Sequence, residues 1–111
     1  MSDVEAACAV PEDFTEPVVI YTTRWCGYCL MALRLLRARN IPFAQVPVDG
    51  DAAARRWLSE RSGRTTVPQV FIRGASIGGY DELSELDDGG TSGSRLAALL
   101  AGTEPTRDGP H

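Results

Sequence analysis

The run Val18-Val19-Ile20-Tyr21-Thr22 is continuous, apolar and rich in β-branched residues. A strand without polar alternation is one buried on both faces, inside a sheet that helices cover on each side. The next thirty residues narrow the choice. Leu30, Leu33 and Leu36 recur at helical spacing, with Arg34, Arg37 and Arg39 on the other side, and the pattern stops near Asn40, before Ile41-Pro42. Phe43 to Val48 then alternates as a second strand. A strand, a helix and a strand in this order make a parallel pair joined by a right-handed crossover. Pro47 puts the second strand at or near a sheet edge, because proline has no N–H for a ladder.

The remaining segments extend this unit. Asp49-Gly50-Asp51 is a turn that supplies an N-cap for a helix from Ala52 to Arg61, with Trp57 and Leu58 facing the core and Gly63 just past its end. Pro68 to Ile72 is a third strand, which Arg73-Gly74 turns into a short fourth, Ala75-Ser76-Ile77. Gly78-Gly79 breaks the chain before a helix over Tyr80–Leu86, and Ser94–Ala101 makes the last helix. The order β-α-β-α-β-β-α-α predicts an α/β fold with a central four-stranded mixed sheet flanked by helices. Residues 1–16 lack periodicity and are expected as a flexible acidic N-terminal tail, with a helical turn near Val4–Val10. Residues 17–101 form the domain, and 102–111 a flexible C-terminal tail.

Charge and composition exclude several classes. The chain carries a net charge of −4, and every base is Arg. A nucleic-acid binder shows a strongly basic face, so nucleic acid is not an expected partner. No apolar run approaches the roughly 20 residues that span a bilayer, and the acidic start does not read as a secretory or transit peptide. A cytoplasmic protein, not a membrane one, is expected. Three cysteines are too few and too odd a number for a disulfide-stapled mini-protein.

Two of those cysteines form Cys26-Gly27-Tyr28-Cys29, which follows the first strand and opens the first helix. A helix start presents free N–H groups and about half a positive charge, so a thiolate placed there is stabilised. Arg24, two residues upstream, adds positive potential. Cys26 is the exposed thiol and Cys29 lies one turn inside, the spacing that lets one thiolate attack a disulfide and a second resolve the product. A zinc site would need Cys8 and His111 from the tails as further ligands, and haem attachment would need His where Leu30 stands. No metal site is expected from these residues alone. Cys8 is assigned no role; the acids near it oppose a thiolate.

Three separated motifs carry a family resemblance: Trp25-Cys26-Gly27-Tyr28-Cys29, then Thr65-Thr66-Val67-Pro68, then Gly78-Gly79-Tyr80-Asp81. In this order and at these spacings, residues 18–101 resemble a dithiol glutaredoxin of the thioredoxin superfamily. The resemblance implies a thioredoxin-like fold and a monomeric, glutathione-dependent oxidoreductase acting on glutathionylated or disulfide-containing proteins. It implies catalysis by Cys26 and Cys29, and a cis Val67–Pro68 peptide beside Cys26. The glutathione-binding residues it implies are Arg24, Tyr28, Arg55, Thr66, Val67, Pro68, Gly79, Tyr80 and Asp81. The Tyr80 and Asp81 N–H groups would take the γ-glutamyl carboxylate at a positive helix end, and the Asp81 carboxylate the amine.

One departure stands out. Glutaredoxins often carry Lys three residues before the first Cys, where this chain has Thr23. Arg24, Arg55 or Arg64 is the substitute cation for the glycyl carboxylate, or each is a solvated surface charge. Two alternatives stay open: a [2Fe–2S] carrier sharing a cluster through Cys26, which Gly27 permits, and a mycothiol-dependent mycoredoxin-like reductase, against which the Gly-Gly-x-Asp segment counts.

Overall fold

The computed structural model describes residues 9–87 and 95–101. Its sheet comprises β1 (Val18–Thr22), β2 (Phe43–Pro47), β3 (Gln69–Ile72) and β4 (Ala75–Gly78), in the spatial order β2-β1-β3-β4. β1 runs parallel to β2 and antiparallel to β3, and β3 pairs antiparallel with β4. The helices are α1 (Gly27–Ala38), α2 (Ala52–Ser62), α3 (Tyr80–Asp87) and α4 (Arg95–Leu100). The expected element order and mixed sheet are therefore present. Ser94, the expected start of the last helix, lies outside the described residues.

The central position of β1 explains its unbroken apolar run. All five of its residues are buried, and successive side chains serve opposite faces. Val18 and Ile20 join Val70, Ile72, the α1 residues Ala32, Leu33 and Leu36, Leu83 of α3 and Leu96 of α4. Val19 and Tyr21 join Phe71, Val46, Val48 and the α2 residues Ala54 and Leu58. The sheet is thus clad by α1, α3 and α4 on one side and by α2 on the other. β2 is an edge strand, where Pro47 costs no inner ladder bond.

Helix ends follow local chemistry. Asn40, at φ +56°, ends α1 in the left-handed region, and Ile41 N–H closes back on the Leu36 carbonyl at 2.9 Å. Asn tolerates that conformation better than most residues. The Asp51 carboxylate caps α2 by accepting the Ala54 N–H at 3.0 Å, as the sequence predicts. β3 begins one residue later than expected, at Gln69, since Pro68 has no N–H to donate.

Residues 9–16 depart from the expectation of a loose tail. A short 3-10 turn spans Pro11–Asp13, and Ala9 and Phe14 pack on the α2-side cluster. The buried Tyr21 hydroxyl donates to the Ala9 carbonyl at 2.6 Å, and Glu12 pairs with Arg61 at 2.9 Å. Isolated contacts of this kind leave no periodicity to read. The helical turn expected near Val4–Val10, Cys8 and the 102–111 tail with His111 fall wholly or mostly outside the described residues. No described helix is long and apolar enough to cross a membrane.

Candidate active site

Cys26 sits at the junction of β1 and α1, where the parallel topology brings strand end and helix start together. It is the N-cap of α1: its backbone is extended, and its Sγ accepts the Cys29 N–H at 3.1 Å. One first-turn donor is therefore aimed at the sulfur, as stabilising a thiolate requires. On its other side the Sγ stands 3.6 Å from the Val67 carbonyl oxygen, an acceptor for the S–H proton. Cys26 is partly exposed, whereas Cys29 is 2% exposed. Burial, aided by the hydrogen bond with Cys26, pushes the Cys29 thiol up to about 12. The pair is thus divided into a reachable sulfur and a covered thiol that keeps its proton at neutral pH.

Val67–Pro68 is a cis peptide, as expected. A cleft of about 290 Å³ opens beside it, lined by the sequence-predicted Tyr28, Thr66, Val67, Pro68, Gly79, Tyr80 and Asp81. The Tyr28 and Tyr80 rings stack with centroids 6.3 Å apart. Three motifs far apart in the chain thereby line one hollow.

The two predicted arginines do not line that hollow. Arg24 borders a depression of about 350 Å³ on the other flank of Cys26, shared with Thr23 and Asp49. Its N–H donates to the Asp49 carboxylate at 2.6 Å, and its guanidinium approaches the same oxygen at 4.0 Å. Arg55 donates instead to the Thr65 carbonyl at 3.2 Å, steadying the loop behind the cleft wall. Arg64 does line the cleft.

Glu82, which the sequence reading left without a role, also lines the cleft. Its Oε1 accepts the Gly79 N–H at 2.8 Å, and its Oε2 pairs with Arg64 at 3.1 Å. The spacing carried the signal: an acid three residues after a helix-start Gly is half of a capping box. The Gly79 N–H bond, with Arg64 beside it, holds the Glu82 carboxyl below the usual carboxylate range. Glu12 is likewise lowered, by its hydrogen bond from Arg61. A carboxyl whose folded value lies below its unfolded one, about 4.3, stabilises the fold above that value. The contribution disappears as pH falls through the folded value. Stability measured by urea unfolding should therefore drop between pH 6 and pH 3, and Glu82→Gln should flatten that dependence. An unchanged slope in the variant would remove Glu82 from the acid response.

Gly78 is favoured by its positive φ, and a side chain at either Gly78 or Gly79 would crowd a neighbour. Gly78 has φ +111°, and a Cβ there would lie 2.8 Å from the Glu82 carboxylate; one on Gly79 would lie 3.2 Å from the Pro68 carbonyl. Gly78→Ala should cost about 1–3 kcal/mol, the usual scale for a residue forced into such a backbone. A urea midpoint matching the wild type would refute this.

The glutaredoxin family model matches residues 18–77, which include the Cys26–Cys29 pair and the cis-proline loop. The chain belongs to the glutaredoxin family. A glutaredoxin of Pseudomonas aeruginosa is 42% identical over 85 residues, covering 77% of this chain and 96% of that protein. Glutaredoxin 3 of Escherichia coli is 50% identical over 70 residues, 63% of this chain and 84% of its own length. Among solved structures, a buckwheat glutaredoxin–glutathione complex superposes with a TM-score of 0.70 at 28% identity, covering 79% of each chain. The glutaredoxin of Brucella melitensis gives 0.65 at 35% identity, covering 79% of this chain and 92% of that one. The protein is a thiol–disulfide oxidoreductase of the thioredoxin-like fold, with the Cys26–Cys29 pair in its active site. The family generally uses glutathione.

Proposed function

We propose that this chain, acting as a monomer, uses glutathione to reduce glutathionylated and disulfide-bonded proteins, with the 290 Å³ cleft as the glutathione site. The observation that carries the reading is the convergence of Tyr28, Thr66–Pro68 and Gly79–Asp81 on one hollow beside Cys26. Among the described residues the Tyr80 and Asp81 N–H groups have no partner, which suits a carboxylate at the start of α3. Asp81 is exposed there and takes the ligand's ammonium. Arg64 is the cleft's own cation, in place of Arg24 and Arg55.

The chemistry follows from the two sulfurs. Cys26 thiolate attacks the glutathione sulfur of a mixed disulfide, and the target protein's thiolate leaves. Cys26 then carries glutathione through a new S–S bond. A second glutathione thiolate attacks the glutathione sulfur of that bond, glutathione disulfide departs, and Cys26 thiolate is regenerated. Alternatively Cys29 loses its proton to solvent and attacks the Cys26 sulfur, expelling glutathione thiolate and leaving the Cys26–Cys29 disulfide. Burial of Cys29 favours the first route at neutral pH. In an iron–sulfur role the chain's own ligand would be Cys26, because Cys29 is covered. The deciding experiment is turnover of a glutathione mixed disulfide with glutathione as reductant, compared with mycothiol. Faster turnover with glutathione is expected. Preference for mycothiol, or no turnover together with cluster binding on anaerobic reconstitution, would overturn the reading.

A further inference from the structure

Gln69 is fully buried, yet its side chain is polar and takes no part in the chemistry above. Its backbone is fixed at the start of β3, opposite Tyr21 of β1. Its Nε2 donates to the Thr66 carbonyl at 2.9 Å and reaches the Thr66 hydroxyl at 3.4 Å. Its Oε1 is buried with no partner among the described residues. A flipped amide would set oxygen against the Thr66 carbonyl, so the acceptor itself dictates this orientation. Only the bond after Val67 is cis among the described residues, so the Thr66–Val67 peptide is trans. In a trans peptide the C=O and the following N–H point in opposite directions. Drawing the Thr66 carbonyl toward the buried Gln69 amide therefore turns the Val67 N–H the other way, toward the cleft that Thr66 and Val67 line.

We infer that Gln69 is a positioning residue, whose buried amide pins the Thr66 carbonyl and so aims the Val67 N–H into the cleft, at the backbone of the bound glutathione moiety. The unpartnered Oε1 fits this role. A buried amide with half its capacity unused is a poor device for stability, and what it secures is one peptide plane beside Cys26. The inference rests on the glutathione reading of the cleft.

The test uses Gln69→Met, which keeps shape and removes the donor, and Gln69→Asn, which keeps the amide one methylene short of Thr66. With a glutathione mixed disulfide, kcat/KM should fall about tenfold in both, the worth of one hydrogen bond, with the loss carried by KM. Alkylation of Cys26 by iodoacetamide, which does not need the cleft, should keep its rate. By NMR, the Val67 amide proton should move downfield when S-methylglutathione is added to the wild type, and this shift should be lost in the variants. An unchanged KM in a folded variant would overturn the inference. So would a joint fall of kcat, alkylation rate and Tm, which marks a structural role only. A wild type that neither turns over nor binds the probe would defeat the glutathione reading instead. The Val67 amide shift of the ligand-free variants would still report on Gln69: a position identical to wild type would overturn its role.

Discussion

Cys26→Ser should abolish turnover of a glutathione mixed disulfide, lowering kcat/KM by at least about a thousandfold, because a hydroxyl is a far weaker nucleophile than a thiolate. The substitution is nearly isosteric at a partly exposed N-cap, and Ser is a favoured residue there. Stability should therefore be unchanged, which isolates the chemical effect. Cys29→Ser should behave differently. Its thiol is buried and keeps its proton at neutral pH, so turnover with excess glutathione should remain within a few-fold of wild type, while formation of the Cys26–Cys29 disulfide is lost. Steady-state kinetics on the two variants decide the matter. Residual turnover in Cys26→Ser well above about 0.1% of wild type would mean that another group attacks the disulfide.

Phe71→Ala should remove about 3–5 kcal/mol of stability, the range for truncating a buried phenylalanine. Phe71 is fully buried at the middle of the sheet, opposite Val19 of β1 and Ser76 of β4. Its ring meets Tyr21 edge-on at 5.5 Å, and the Arg61 guanidinium lies 5.5 Å from its centre. Tyr21 in turn contacts Trp57 and anchors residue Ala9, so the cavity would loosen α2 and the N-terminal segment together. Such a loss is a large share of a typical domain's 5–15 kcal/mol. Urea unfolding should show a much lower midpoint with an unchanged slope. A loss under about 1 kcal/mol would mean that the α2-side cluster collapses into the space.

Much of the domain is legible in the chain itself. The unbroken run at Val18–Thr22 implies a strand covered on both faces, and β1 is that strand. Pro47 implies an edge, and β2 is one. The Cys26–Cys29 pair at a strand-to-helix junction already implies disulfide exchange, since the spacing and the helix end are local properties. Local spacing also contains the Glu82 cap, since an acid three residues after Gly79 can reach back to its N–H.

Other features depended on residues that sequence distance separates. Which arginine lines the cleft was not readable, because Arg24, Arg55 and Arg64 are alike as residues and differ in their partners: Asp49, the Thr65 carbonyl and Glu82. Residues 9–16 pack through single contacts to Tyr21 and Arg61 that no local pattern encodes. The role of Gln69 was hidden for the same reason, since a polar residue in a strand reads as exposed until the fold covers it. The order of elements, the redox pair and the three motifs follow from short-range spacing and backbone preference, which the chain carries locally. The neighbours of each charged or buried polar group are set by the folded arrangement, because those energies depend on distance and burial between segments far apart in the chain.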